Sequence, residues 1–221
     1  FDSRHASYNT VVLGQTGAGK TFATLLLMMR HLLLGVRLII LDPQGNIQLD
    51  FLGEEVYQRS LVGTEGAAVN VLDIVYDEIG AQVEMAVAML RLLGVHSDGA
   101  LERALLDEAL MALYAPLWGK AEPPPLIADL HGWMKARVGR AQSARVRETA
   151  EGLEIALQAY VSGSRAEMFG RHTNMDFRLD RAVNVFDVSR LPQQGMGGNL
   201  RSALLSILVA NINQGIRRRR W

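Results

Sequence analysis

The chain has 221 residues, enough for one sizeable domain or two small ones. Hydrophobic residues make up 49% and charged residues 21%, the balance of an ordinary globular protein rather than a disordered or fibrous one. Its 23 basic and 23 acidic residues cancel, which argues against a protein that coats nucleic acid by bulk charge, and the lack of cysteine excludes disulfides and thiolate metal sites and fits a reducing compartment.

The opening FDSRHASYNT has neither the basic start nor the apolar core of a signal peptide. The apolar stretch LLLMM, followed by Arg30 and His31, is too short to span a bilayer. Thr10 to Gly14, TVVLG, is a β-branched run stopped by glycine, the pattern of a buried strand. TFATLLLMMRHLLLG reads as a helix closing on Gly35, and RLIILD as a second buried strand. Strand, glycine-rich loop, helix and strand in that order predict a βαβ unit with a parallel sheet.

From about 80 to 162 the pattern turns helical. Val83, Val87 and Leu90 share one face; Leu101, Leu105, Ala109 and Ala112 face away from Glu102, Arg103, Asp107 and Glu108. Pro123 to Pro125 break the run and introduce a helix through Asp129 and Trp133. Val146, Ala150, Leu153, Leu157 and Tyr160 repeat the spacing. A strand returns at AVNVFDVS (182–189), followed by the glycine-rich QQGMGGN and an apolar helix, LRSALLSILVANINQ, expected against the sheet. The predicted organisation is an α/β core, 1–79 and 163–221, interrupted by an all-helical insertion at 80–162.

Within this frame G-x-x-x-x-G-K-[ST] is matched by Gly14, Gly19, Lys20 and Thr21, between a predicted strand and helix. Gln15, Thr16, Gly17, Ala18 and Gly19 are expected to turn backbone N–H groups inward as an anion-binding nest at a helix N-terminus. Lys20 is expected to reach the β- and γ-phosphates and the Thr21 hydroxyl to ligate Mg²⁺. Phe22 adjoins this nucleotide-binding set.

Asp42 ends the second strand in DPQG, which fits the D-x-x-G of GTPases. The strand follows the first helix directly, leaving no room for a switch loop, and no N-K-x-D sequence occurs downstream. The residue is therefore expected to border the nucleotide crevice at a strand's C-terminal edge without being the hydrolytic acid. Asp187 ends VNVFD, but Val188 follows where a hydrolytic glutamate would stand. An aspartate that binds a loop is the plainer reading of both.

The ordered series YNTVVLGQTGAGKTF, LIILDPQGN, Val69 to Ile74, LLDEALMALY, PPPLIADL, GSRAEMFGRHTNMDF and VNVFDVSRL resembles the conjugative type IV secretion ATPases, the TraC-like assembly motors, within the FtsK/HerA group of RecA-like ATPases. The resemblance runs through nearly the whole chain, although only the phosphate loop is specific alone. It implies a RecA-like P-loop NTPase core and a motor that hydrolyses ATP with Mg²⁺; a HerA-like or coupling-protein-like DNA translocase and a regulatory module that binds nucleotide without hydrolysing it are the alternatives. It also implies a homo-hexamer working with other secretion-channel subunits on a DNA or protein substrate, at the cytoplasmic face of an inner membrane reached through partners. It places the metal-side Asp–Glu pair on a strand after the final helix, beyond Trp221. Two positions depart from the family's pattern: Asn46 stands where an acid is usual, and Val71 where a proline is usual.

Arg165 and Arg171 flank Phe169 and are candidates for the arginine that hexameric motors supply to a neighbour's γ-phosphate. Lys135, Arg137, Arg140, Arg145 and Arg147 form a run without an acid, either a DNA- or partner-facing patch or, more commonly, a solvated helix face. Arg217 to Arg220 read as a solvated helix cap rather than a DNA contact. His131 and His172 lack a second ligand at metal spacing.

Overall fold

The computed structural model describes residues 11–61, 68–163, 165–175, 177, 179–190 and 197–217. Thr10, Gln193 to Met196 and Arg218 to Arg220, which carry parts of the sequence expectations, lie outside the described residues.

Among the described residues three parallel strands form the sheet: β1 (Leu38–Asp42), β2 (Tyr57–Leu61) and β3 (Val183–Asp187), in the order β1-β3-β2. The latest strand in the chain is the central one. Each residue of β3 is buried, as expected of a strand covered on both faces. Alternate residues serve opposite sides. Val183 and Val185 pack with Ile40 and Tyr57 under the apolar flank of α1 (Lys20–Leu33), while Phe186 packs towards α7 (Gly197–Arg217). Each such aromatic or aliphatic side chain withdrawn from water stabilises the fold by roughly 1.5–3 kcal/mol.

The helix over α1 and the strands β1 and β3 lie where the sequence predicts them. Gly35, at φ 78, accepts the left-handed turn that ends α1, and its N–H bonds to Leu32 O at 2.9 Å. One expected strand is not formed. Residues 11–14 are irregular, with Val11 76% and Leu13 87% exposed, although TVVLG has strand composition. A strand exists only through a ladder partner, and this segment pairs with no described strand; β1 is an edge of the sheet. β2, whose YQRSL carries no apolar alternation, arises because β3 supplies its ladder from Tyr57↔Val183 to Leu61↔Asp187.

Between β2 and β3 stand α2 (Ile79–Leu92), α3 (Ala100–Tyr114), α4 (Ile127–Arg140), α5 (Ala144–Val161) and the short α6 (Ala166–Phe169). No strand occurs among the described residues from 68 to 163. The predicted faces of α2 and α5 are the buried ones: Val83, Val87 and Leu90 in the first, Ala150, Leu153, Leu157 and Tyr160 in the second. On α3 the buried stripe is Leu105, Leu106, Ala109, Leu110 and Tyr114, and Ala112 is exposed. The core lies one step round the helix from the expected line because Leu106 and Leu110 bring far more apolar area than alanine. These helices share one continuous core with Phe186, Val188 and α7. Among the described residues no helix is long and apolar enough to cross a membrane.

Glu102 starts α3 by accepting the backbone N–H of Ser97 at 2.9 Å and of Gly99 at 3.2 Å. The Ser97 N–H is the main reason its carboxyl lies below the ordinary 4.5; the Gly99 N–H adds to it. A lowered folded pKa adds stability above the unfolded value that disappears as pH falls through the folded one. Glu102→Ala is therefore expected to cost about 1 kcal/mol at neutral pH. In thermal melts the gap to the wild type should close as the pH drops below the unfolded value.

Candidate nucleotide site

Gly14 to Lys20 turn the chain into α1. Gly17 and Gly19 have φ of 84 and 78, left-handed values at which an L side chain is strained. The Ala18 N–H donates to Gln15 O at 3.2 Å, closing the turn between them. Gly19 is the N-cap of α1; no side chain caps this end and the first helical turn carries no acid. The N-terminal N–H groups are thus left for an outside acceptor, at the end of the helix where the dipole favours negative charge.

The Lys20 ammonium folds back over the loop. Its Nζ donates to Gly14 O and to Gln15 O, each at 2.7 Å. Both partners are neutral carbonyls, and among the described residues no carboxylate forms an ion pair with it. Beside it opens a cavity of about 240 Å³ whose polar lining is Lys20, Thr21, Thr24, Asp42, Gln44 and Asn46.

Asp42 reaches this cavity from the C-terminal end of β1 and is only 3% exposed. Its Oδ1 accepts the N–H of Gln44 at 3.1 Å and of Gly45 at 2.9 Å, and its Oδ2 accepts the N–H of Ile47 at 2.7 Å. Three of roughly four acceptor sites on the carboxylate are committed to the turn that follows the strand. Asp187 stands beside it in register, and its Oδ1 accepts the Ser189 N–H at 2.9 Å. The Val188 N–H donates to Asp42 O at 3.0 Å. A Cβ on Gly45 (φ 69) would lie 2.8 Å from Ser189 Oγ and 3.4 Å from Asp187 Oδ2, so the two strand-end turns are in contact.

The structure brings Lys20, Thr21 and Asp42 to one cavity, with Gln15 at the Lys20 ammonium. Thr16, Gly17, Ala18 and Gly19 are exposed on the loop, and Phe22 is 73% exposed. Thr24 and Gln44 were not singled out from sequence. Thr24 follows Lys20 by one helical turn, and its Oγ1 donates to Lys20 O at 2.9 Å, a neighbour relation that i, i+4 spacing carries. Gln44 enters through the turn that Asp42 holds.

Arg165 and Arg171 lie off this cavity. The Arg165 guanidinium stacks 5.2 Å from the Tyr160 ring centroid and also donates to the Tyr160 hydroxyl. That hydroxyl donates to Leu93 O at 2.5 Å, and burial raises its pKa against the pull of Arg165. Arg171, just past α6, is tied back to that helix, donating to Glu167 O at 2.8 Å through Nη2 and at 3.0 Å through Nε. In the basic run, Arg137 lies 3.8 Å from Glu108 and Arg147 donates to Ala141 O at 3.2 Å, so both serve packing within the helices. His131 faces Glu154 at 3.5 Å.

Residues 4–197 match the protein family described as helicase HerA, central domain. The chain belongs to this family. The fold of this HerA-family chain is that of VirB4 of Thermoanaerobacter pseudethanolicus, with a TM-score of 0.76 at 20% sequence identity. The match covers 94% of this chain and 56% of the VirB4 chain, so the chain spans little more than half the length of that protein. At this identity the likeness is one of fold, and it agrees with the P-loop ATPase architecture that the family resemblance implies. No curated protein sequence matches the chain.

Because the Asp42 carboxylate holds three backbone donors, Asp42→Ala leaves three partly buried N–H groups without their acceptor and should cost about 1–3 kcal/mol of stability. Gly45→Ala combines a left-handed φ with the Ser189 contact and is expected to lose a similar amount, about 1–3 kcal/mol. Urea denaturation midpoints measure both; an unchanged midpoint in either variant would contradict the geometry described.

Proposed function

We propose that this chain is an ATP-binding and ATP-hydrolysing motor domain that powers type IV secretion, conjugative transfer or assembly of the channel they use. The single observation behind this reading is the Lys20 ammonium: among the described residues it meets only neutral carbonyls, at a helix end whose N–H groups no described side chain caps. What that arrangement lacks is an anion. Triphosphate supplies one with the right reach, bound by the nest from Gln15 to Gly19 and by Lys20.

The donor set also fits Mg²⁺. Thr21 offers a hydroxyl and Asp42 a carboxylate edge in the same cavity, the oxygen chemistry that this cation takes. When bound with the nucleotide, the cation neutralises charge on the phosphate oxygens. Thr21 would be its protein ligand, and Asp42 keeps the following turn in place beneath it. Neither Asp42 nor Asp187 is offered as the water-activating acid, since both carboxylates hold backbone turns.

In this reading the helices from 80 to 162 form an insertion between the two parts of the ATPase core, 1–79 and 163–221. The motor works as a homo-hexamer with secretion-channel subunits, at the cytoplasmic face of the inner membrane through those partners. Arg165 or Arg171 is the candidate for a trans-acting arginine. The Arg171 side chain is half exposed, which supports it over Arg165 in that role, although it would have to leave Glu167 to reach another subunit.

The family description favours a second reading: a HerA-like translocase acting on DNA. The two separate by DNA-stimulated ATPase activity. A translocase should show stimulation that falls steeply between low and physiological salt, because phosphate contacts release counterions. A channel-assembly motor should show none.

Lys20→Ala is expected to abolish ATP hydrolysis, a loss of at least about a hundredfold in turnover if Lys20 is aimed at transition-state charge. Near-wild-type turnover in that variant, with the fold intact by circular dichroism, would sink the mechanism.

A further inference from the structure

A second cavity, about 500 Å³, lies apart from the nucleotide site and shares no lining residue with it. It is enclosed by three pieces of chain: residues 73–77, the segment 117–124, and the last turns of α7. Its size is that of a site for a side chain or small ligand.

The first wall is held firmly. Gln82, 1% exposed, accepts the N–H groups of Val75 at 2.9 Å and Tyr76 at 3.2 Å through Oε1. Its Nε2 donates to Asp73 O at 2.9 Å and to the Tyr114 hydroxyl at 3.2 Å, and that hydroxyl donates to Leu72 O at 3.0 Å. Burial pushes the Tyr114 phenol far above its usual range, so it remains a neutral donor. Trp118, in the second wall, is fixed edge-on against Tyr114 at 6.5 Å and 81°.

The third wall shows what the cavity lacks. Asn211, 8% exposed, donates its Nδ2 to Ile207 O at 3.0 Å, and Gln214 donates its Nε2 to Ile74 O at 3.3 Å. Both partners are carbonyls, so the amide nitrogens must face them and the amide oxygens must face away. Asn211 Oδ1 and Gln214 Oε1 accept no hydrogen bond from any described group. Around the same space stand the carboxylates of Asp73, Asp77 and Glu122, with Lys120 as the only cation of the lining.

The vacant capacity is thus almost all acceptor, the charge is net negative, and an indole edges the opening. Phosphate and carboxylate ligands are repelled by such a lining. An ammonium offers three donors on a compact, strongly hydrated charge, whereas a guanidinium offers five in a plane that also stacks on aromatic rings. We propose that this cavity binds an arginine side chain presented by another polypeptide, its guanidinium held between Trp118 and the oxygens of Asp73, Asp77, Asn211 and Gln214. Burial raises the Asp73 carboxyl above its ordinary range against the hydrogen bond that Thr173 Oγ1 donates to its Oδ2 at 2.5 Å, and a guanidinium arriving beside it would favour the charged form.

The test uses the whole chain, with argininamide as probe and the indole N–H resonance of Trp118 as readout. The expected result is a saturable shift with argininamide that weakens with salt. Lysinamide should bind at least roughly tenfold more weakly, and the neutral isostere citrullinamide should give no saturable shift. Asp77→Asn combined with Glu122→Gln removes two exposed charges without touching Gln82 or Tyr114. That variant should lose argininamide affinity by roughly tenfold or more while binding ATP as the wild type does. An equal response to citrullinamide, or unchanged affinity in the double variant, would overturn the proposal.

Discussion

The central position of β3 is the constraint on which the rest of the molecule depends. A five-residue strand buried on every side chain can be accommodated only with a hydrogen-bonded neighbour on each edge and an apolar layer on each face. β1 and β2 meet the first demand, α1 and the core beneath α7 the second. Because the strands are parallel and in register, their C-terminal ends fall on one line. Asp42 and Asp187 therefore stand side by side, although 145 positions separate them in the chain. The cavity beside Lys20 exists because that line of strand ends faces the N-terminus of α1.

Much of this was legible in the sequence wherever the signal is local. Apolar runs located β1 and β3, and the 3.6-residue spacing located α2 and α5 with their buried faces. The glycine–lysine spacing located the loop, since Gly17 and Gly19 do adopt the left-handed turns that the motif requires. Where partners decide, the local signal failed. YQRSL became a strand through β3, whereas the more strand-like TVVLG found no described ladder and stayed irregular over 11–14. On α3 a stripe drawn through small alanines gave way to the leucines beside it.

The candidate site divides in the same way. Lys20 and Thr21 were readable because their chemistry is tied to a fixed spacing, and Asp42 because it ends an apolar run. That Asp42 spends its carboxylate on the N–H groups of Gln44, Gly45 and Ile47 depends on how the following turn folds back, which the DPQG string does not encode. The second cavity was invisible from the chain. Its third wall depends on Gln214 meeting Ile74 across 140 residues, and no periodicity encodes that encounter.

Gly45 rests against Ser189 with no room for even a methyl group between them. The turn beneath the nucleotide cavity and the turn that leaves β3 towards α7 are therefore pressed together like two teeth of a gear. A larger residue at position 45 would have to turn the Ser189 hydroxyl aside and would still press on Ser189 Cβ at 3.3 Å. A bare glycine in the DPQG string thus sets how closely the ends of the edge strand and the central strand can approach each other.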